Sequence, residues 1–190
     1  MSAVQPLKIT DARDHVEDER LFNFLLKTEH YPGFVRPVGQ NMKYLVRSAG
    51  GVPLACLLFG APAWKIHDRD RFIGWDAPTQ ESHLSLLTNN TRFLIPDWIE
   101  IPCLASHVLA KVVRRLSEDW QRRYGTPVVL IETFVDRSRY VGTCYKAANF
   151  IHIGHTRGRS RQDRYRRLQV PIKDIYVYPL RLCFRRYLHM

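Results

Sequence analysis

The sequence lacks the features that would assign it to several common classes of protein. Its four cysteines (Cys56, Cys103, Cys144 and Cys183) stand singly, and no C-x-x-C pair occurs. The sequence therefore predicts neither a disulfide scaffold nor a cysteine-based zinc site. No apolar run reaches the roughly 18 residues that a membrane span needs, and residues 1–14 have no apolar signal-peptide core. We expect a soluble cytoplasmic protein with reduced thiols.

Motifs that read bases or hold metal ions are also missing. No helix-turn-helix, zinc finger or RNA-binding aromatic motif occurs, so the sequence does not predict direct base recognition. His152 and His155 are three residues apart on a predicted strand, where their side chains point to opposite faces and make a poor pair of ligands. We predict no metal site.

What is present is the composition of an ordinary globular protein. The 190 residues are 45% apolar and 12% aromatic, which allows a full hydrophobic core and argues against a disordered chain. A single domain over residues 1–190 is the simplest organisation.

Positive charge is concentrated near the C-terminus. The formal net charge is +11, and the stretch from Arg157 to Met190 holds ten basic residues against two acidic ones. An uneven field of this kind favours a polyanionic partner, most simply nucleic acid. A membrane surface, an acidic protein and a solvated tail are the alternatives.

Six arginines of this stretch, called the arginine cluster here, are interleaved with Gly158, Ser160 and Tyr165. That composition suits contacts with phosphates and offers one aromatic ring for stacking. The cluster consists of Arg157, Arg159, Arg161, Arg164, Arg166 and Arg167.

The first half of the chain is predicted to contain one helix and several strands. Near-helical spacing of apolar residues predicts an amphipathic helix over 10–28, with Thr10 as its N-cap. Prolines and glycines make 30–41 a loop. Strands are predicted at 42–47 and 54–59.

The following segments have weaker patterns. Residues 64–75 are polar in the middle and aromatic at both ends, which favours a strand pair. Residues 82–87 suggest a short helical turn. Residues 92–95 and 98–101 suggest one strand that Pro96 interrupts, because proline cannot donate to a ladder.

The second half has the strongest patterns. A long apolar stripe predicts a helix over 103–124, which Gly125 ends. The apolar run 128–135 predicts a central strand covered on both faces. A short helix at 142–149 and strands at 150–155 and 174–180 follow.

This order of elements resembles the GNAT superfamily of N-acyltransferases. Tyr145 and Phe150 stand at the spacing that the superfamily shows between its second-helix tyrosine and the aromatic residue opening the next strand. The resemblance covers residues 42–180. It implies a mixed α+β (or α/β) fold with a mostly antiparallel sheet flanked by helices, and it implies Tyr145 as a general acid.

The same resemblance raises the question of acetyl-CoA. Where the superfamily has a glycine-rich loop for the pyrophosphate, this chain has Leu104, Ala105 and Ser106. Side chains at a close-approach backbone position block the ligand. We therefore expect no cofactor, with acetyl-CoA as the doubtful exception. An open gap between the central strands would favour acetyl-CoA, and a filled gap would argue against it.

A second resemblance covers nearly the whole chain from residue 20 onward. It is carried by residues 24–33, 60–76, 128–161 and 170–180. These segments are similar to the DruA family, an uncharacterised domain of Druantia anti-phage systems whose relatives also lie beside transposable elements. The resemblance implies a role in phage defence or mobile-element biology, without an established reaction.

Two carboxylates are the main candidates for acid–base chemistry. Glu132 lies inside an apolar strand, where an unpaired carboxylate is costly, and Asp136 lies at the carboxyl end of that strand, where ligands of open α/β sheets gather. A buried ion pair with an arginine is the alternative for Glu132. A set of carboxylates for two metal ions could also be assembled from Asp70, Asp97, Glu132 and Asp136.

Together these patterns predict a DruA-like protein that binds nucleic acid through its arginine cluster on a degenerate acyltransferase-like scaffold. An active acetyl-CoA-dependent N-acyltransferase is one alternative. A metal-dependent nuclease or transposition factor is the other, so the sequence leaves open whether the protein is an enzyme. Proteins of a defence operon are further candidate partners, and a membrane is not expected.

Overall fold

A mixed sheet with helices on both faces organises the chain. The computed structural model describes residues 5–31, 33–158 and 170–189, and within them the sheet has seven strands in the order β1-β2-β3-β4-β5-β7-β6. Strands β4 and β5 are parallel, and the other neighbours are antiparallel. The strands are β1 (Lys8–Asp11), β2 (Met42–Arg47), β3 (Pro53–Gly60), β4 (Leu87–Leu94), β5 (Leu130–Asp136), β6 (Ile151–His155) and β7 (Lys173–Pro179).

The helices divide between the two faces of this sheet. They are α1 (Val16–Thr28), α2 (His67–Ile73), α3 (Ala77–His83), α4 (Leu104–Tyr124), α5 (Thr143–Ala147) and α6 (Phe184–Leu188). Helices α4 and α5 cover one face, which we call the α4 face. On the opposite face, called the α2 face, α1 packs on β2 and β3, and α2, α3 and α6 pack near β5 and β7.

The long helix α4 holds the larger core together. Its apolar stripe, including Val108, Val112 and Leu116, is buried against side chains such as Tyr44 and Ile131 of the sheet. Full burial of such side chains stabilises the fold by about 1.5–3 kcal/mol each. Gly125 ends the helix with φ of 80°.

The predicted fold class is confirmed. The sheet is mostly antiparallel and helices flank it. The predicted helix over 103–124 and the strands at 42–47, 54–59, 128–135 and 174–180 agree with α4, β2, β3, β5 and β7 to within two residues at each end.

The predicted start of the first helix is wrong. Thr10 lies in β1 and pairs with Leu45 of β2, and a 3-10 turn over Ala12–Asp14 separates it from α1. The Asp11 side chain accepts the Arg13 N–H and caps that turn. Local spacing could not show this because the pairing of β1 is a contact across 35 residues of sequence.

The strand pair predicted over 64–75 is also wrong, because the segment forms α2. Its buried face consists of Arg69 and Ile73, four residues apart. Because one of these two residues is charged, the sequence lacks the apolar spacing that would indicate a helix. Gly74 ends the helix in the left-handed conformation with φ of 87°.

The strand predicted around Pro96 begins and ends earlier than expected. Strand β4 runs from Leu87 to Leu94, directly after a 3-10 turn over Leu84–Leu86. Residues 98–101 form a turn region in which the Ile99 N–H donates to the Pro96 carbonyl at 2.9 Å. Pro96 therefore ends the strand instead of interrupting it.

The described part of the chain contains no helix that is both long and apolar enough to cross a bilayer.

Candidate functional site

The parallel strands β4 and β5 separate after a short paired stretch. Their register covers Leu87 with Leu130, Thr88 with Ile131, and Asn89 with Glu132. At the next residue, the Thr133 hydroxyl donates to the Asn90 carbonyl at 3.0 Å. At the point where the gap between the strands begins, the Thr133 side chain therefore bonds the Asn90 carbonyl in place of a backbone N–H of β5.

Tyr145 fills this gap from the α4 face. Its hydroxyl donates to Asn90 Oδ1 at 2.8 Å, and Tyr145 and Asn90 are 8% and 4% exposed. The ring stacks on Tyr176 at 6.0 Å and meets Phe150 edge-on at 5.2 Å. Burial raises the pKa of Tyr145. Tyr145 and Phe150 therefore belong to an aromatic cluster of the core, and the Tyr145 hydroxyl is engaged in a hydrogen bond to Asn90.

The entry to α4 differs from a glycine-rich phosphate loop. Cys103 has φ of 60° and an exposed side chain, and Leu104 is buried in the core. The Ser106 hydroxyl donates back to the Cys103 carbonyl at 3.1 Å, and Ala105 places a Cβ in the same turn. The entry to α4 therefore presents side chains where a phosphate loop has glycine, and Tyr145 and Thr133 are hydrogen-bonded to Asn90 across the gap.

Glu132 lies on the α2 face in a buried ion pair. Its Oε2 accepts from Arg69 Nη1 at 2.7 Å, and both side chains are fully buried. Its Oε1 accepts the Ala63 N–H at 2.6 Å. Burial raises the pKa of Glu132, whereas the charge of Arg69 and the bond from Ala63 oppose that rise. The alternative of an ion pair with an arginine is therefore what the structure shows for Glu132.

Asp70 extends this pair toward solvent. Its Oδ1 accepts from Arg69 Nε at 2.8 Å and from Trp75 Nε1 at 3.0 Å. Arg69 also donates to the Ala63 carbonyl, so its guanidinium links α2, β5 and the chain that follows β3. The network fixes α2 on the sheet.

The three predicted catalytic residues do not form one site. Glu132 faces α2, Tyr145 lies on the α4 face, and Asp136 accepts bonds from the Ser138 N–H and hydroxyl at the end of β5. Hydrogen bonding from Ser138 lowers the pKa of Asp136. Their roles in catalysis stay predictions.

Across residues 5–31, 33–158 and 170–189, no group of three or more His, Cys, Asp or Glu side chains is placed to hold a metal ion. The four carboxylates considered for two metal ions have separate partners. Asp70 and Glu132 share Arg69, Asp136 accepts from Ser138, and Asp97 lies in the turn after β4.

A cleft of about 820 Å³ lies on the α2 face. Its wall is formed by α2, the start of α3 and the end of β6. Exposed cations stand at its rim, namely Lys65, Arg71 and Arg157.

The carboxylates of the cleft form hydrogen bonds within the protein. Asp68 accepts the His155 N–H at 3.0 Å, Asp70 belongs to the Arg69 network, and Asp76 caps α3 by accepting the Thr79 N–H at 2.9 Å. The exposed lysine and arginine side chains of this cleft are Lys65, Arg71 and Arg157, and Asp76 is its exposed carboxylate.

The arginine cluster begins at the edge of the sheet. Strand β6 is an edge strand and ends at His155. Beyond it, the Thr156 N–H donates to the Lys173 carbonyl at 2.8 Å, which closes the base of the β6–β7 connection. Arg157 is exposed on the cleft rim, and Arg159, Arg161, Arg164, Arg166 and Arg167 lie outside the described residues.

Gly154 allows α2 to approach β6. Its φ is 146°, and an added Cβ would lie 2.0 Å from Asp68 Oδ2. We expect Gly154→Ala to destabilise the protein by about 1–3 kcal/mol through backbone strain, and further by displacing Asp68. Thermal unfolding would measure the loss.

Gly51→Ala is the matched control for this prediction. Gly51 also has a positive φ, of 88°, but an added Cβ there meets nothing within 4 Å. Equal losses in the two variants would show that the contact with Asp68 contributes nothing.

Sequence reasoning underrated the residues that build the cleft. The sequence predicts Asp70 only as one of four carboxylates for metal ions, and it places Trp75 in a strand pair. A signal for α3 was available in the stretch from Asp76 to Thr79, because Asp as N-cap with proline in the first turn predicts a helix start.

Comparison with protein families identifies one match. The family described as Druantia protein DruA matches residues 2–174. The comparison with curated proteins gives no match.

Solved structures similar to this chain include spermidine N-acetyltransferases. A chimera of SpeG from Vibrio cholerae and hSSAT has 9% identity and a TM-score of 0.58, with 97% of this chain and 99% of that chain covered. The Vibrio cholerae enzyme in complex with CoA and spermine has 10% identity and a TM-score of 0.58, covering 92% and 95%. At this identity the likeness shows the fold alone, and it confirms the GNAT fold.

Proposed function

This chain belongs to the family of the Druantia protein DruA, and from that premise we propose that it binds nucleic acid through the arginine cluster and the rim of the adjoining cleft. One observation carries the proposal. Arg157, the first residue of the cluster, is exposed beside Lys65 and Arg71 on the rim of the cleft.

The chemistry of this surface suits a phosphate backbone. Arginine forms paired hydrogen bonds with phosphate oxygens, and lysine adds a point charge. The carboxylates nearby accept bonds from the protein, as with Asp68 and the His155 N–H. A polyanion at the rim would therefore meet cations first.

One exposed aromatic ring lies next to these cations. Trp64 is 51% exposed and precedes Lys65 in the chain, while its carbonyl accepts bonds from Arg69 and Gln80 that hold the backbone in place. Stacking of a base on such a ring contributes about 1–3 kcal/mol and tolerates any sequence. Binding is expected to follow shape and backbone, without base recognition.

The experiment is a titration of labelled duplex DNA, single-stranded DNA and RNA at several salt concentrations. If about five phosphates are neutralised, log affinity falls with log salt at a slope of about −4 to −5 on duplex DNA. Binding that does not change with salt would contradict the proposal. The comparison of the three polymers identifies the preferred one.

The acyltransferase scaffold is proposed to act without acyl-CoA. Tyr145, Thr133 and Asn90 occupy the gap between β4 and β5, and Leu104 and its neighbours offer no glycine cradle. Calorimetric titration with acetyl-CoA is expected to show no binding at micromolar concentrations. The Vibrio cholerae acetyltransferase is the positive control, and micromolar binding by this chain would refute the expectation.

We place this activity in the cytoplasm, in phage defence or in the biology of mobile elements, with proteins of a defence operon as candidate partners. Cells carrying the full operon test the context. Alanine at Arg157, Arg159 and Arg161 is expected to abolish protection in a plaque assay. Full protection by that variant would show that defence does not depend on nucleic-acid binding by the arginine cluster.

A further inference from the structure

Arg92 carries a half-buried positive charge for which the described residues provide no carboxylate. Its Nε donates to the Gly33 carbonyl at 3.1 Å and its Nη1 to the Thr91 carbonyl at 2.7 Å. Within the described part of the chain, no ion pair includes Arg92. Burial lowers the pKa of Arg92. A partly buried cation without a counter-ion is costly unless an anion binds it.

His30 beside it has an acceptor atom without a partner. Its Nε2 lies 3.2 Å from the Phe93 carbonyl, which only accepts, so the proton is on Nε2. Burial and the charge of Arg92 lower the pKa of His30 to about 4, and the ring is neutral at pH 7. Its Nδ1 is therefore a buried acceptor, and no donor of the described residues reaches it. Leaving a buried acceptor without a donor is unfavourable.

Two exposed tyrosines stand next to this pair. The rings of Tyr31 and Tyr140 are 47% and 52% exposed, and their centroids are 5.8 Å apart. Tyr31 also stacks on His30 at 5.4 Å. The guanidinium of Arg139 lies over the Tyr31 ring at 4.5 Å, which adds a second cation to the aromatic surface.

We propose that His30, Tyr31, Arg92, Arg139 and Tyr140 form a binding site for a nucleotide unit. A nucleotide supplies what the exposed part of the site is missing. Its phosphate is the counter-ion for the two arginines, and its base is a flat surface for the two tyrosines, one of which stacks on His30.

One carboxylate lies near this site. Asp136 is close enough to Tyr31 to raise its pKa, although burial of Tyr31 is the larger cause. Its Oδ1 accepts both the N–H and the hydroxyl of Ser138. These bonds lower the pKa of Asp136 and keep it ionised, but among the described residues it forms no ion pair with Arg92.

The site is separate from the arginine cluster, and it does not rest on the proposed function. It lies where β4 and β5 diverge, and it includes no residue of 157–167. The unit can come from a free nucleotide or from one position in a strand. The two sources share the same chemistry.

Ligand-observed NMR titration with AMP tests the site. AMP is expected to bind at least tenfold more tightly than inorganic phosphate or adenosine, because each of these lacks one half of the contacts. Arg92→Met is expected to weaken AMP at least tenfold, since a hydrogen bond to a charged group contributes about 1.5–3 kcal/mol. The matched control Arg114→Met removes an exposed arginine of α4, away from both proposed binding surfaces, and is expected to leave AMP affinity unchanged.

Tyr140→Ala is the second variant. Tyr140 is 52% exposed, so the substitution leaves the buried core intact, which a melting curve checks. It is expected to weaken AMP about fivefold or more through lost stacking. A short oligoadenylate that binds more tightly than AMP and is weakened by Arg92→Met identifies a strand as the source, and AMP binding alone identifies a free nucleotide. Unchanged AMP affinity in both variants overturns the proposal, and so does an equal loss in Arg114→Met.

Discussion

Replacing Arg157, Arg159 and Arg161 with alanine is expected to weaken binding to duplex DNA by about 100- to 500-fold near 0.1 M salt. Each phosphate contact releases counter-ions, and each one changes log affinity by about 0.9 per tenfold change in salt. Loss of three contacts should also reduce the slope of log affinity against log salt by about 2.7. Fluorescence anisotropy across a salt series measures both quantities.

The matched control is alanine at Arg20, Lys27 and Arg36. These three cations are exposed in α1 and the loop that follows it, so the control removes the same charge from another part of the surface. It is expected to weaken binding by less than about tenfold through the overall field. Equal effects of the two triple variants would mean that net charge alone attracts DNA, and no effect of either would make the cluster a solvated tail.

The sequence predicts the fold where local pattern and tertiary packing agree. The apolar stripe of α4 and the apolar run of β5 are of this kind. In both elements, the apolar residues that indicate the secondary structure are the residues that the core buries. The spacing of Tyr145 and Phe150 likewise indicates the fold, and the structure adds that the two rings meet edge-on with centroids 5.2 Å apart.

Prediction failed where a long-range contact or a buried charge outweighs the local pattern. Helix α2 buries Arg69, which only makes sense once Glu132 is known to lie opposite it, 63 residues away in sequence. Strand β1 depends in the same way on its pairing with β2.

The candidate sites show the same division. A basic segment is visible in composition, so the arginine cluster could be predicted without a structure. The site around Arg92 could not, because its distinguishing property is the missing counter-ion. That property appears only when β4, the loop after α1 and the turn after β5 are brought together.

Removing Arg69 is expected to have the largest effect on stability. Arg69→Met leaves the Glu132 carboxylate buried with only the Ala63 N–H as a partner, and breaking a buried ion pair from one side costs about 3–5 kcal/mol. Glu132→Gln is expected to cost less, because Arg69 keeps Asp70 and the Ala63 carbonyl as partners. The double variant should recover part of the loss, since it leaves no unpaired buried charge. Urea unfolding of the parent, the two single variants and the double variant measures the coupling free energy between Arg69 and Glu132.

The loss in Arg69→Met should also depend on pH. Without Arg69, burial raises the pKa of Glu132 further above its ordinary value of 4.5. A raised pKa in the folded state means that stability is fully present below the unfolded pKa and is lost as pH rises through the folded pKa. The deficit of the variant should therefore grow as pH increases above about 4.5.

Arg115→Met provides the surface comparison. Arg115 is 41% exposed, and the buried Asp119 keeps Arg122 and Tyr44 as partners when Arg115 is removed, so we expect a loss of about 0–1 kcal/mol. If both substitutions cost the same and neither loss changes with pH, the Arg69–Glu132 pair does not hold α2 on the sheet. If instead Arg69→Met alone shows the large and pH-dependent loss, the pair is structural. A catalytic role for Glu132 would then require a loss of activity in Glu132→Gln, the variant expected to be more stable than Arg69→Met.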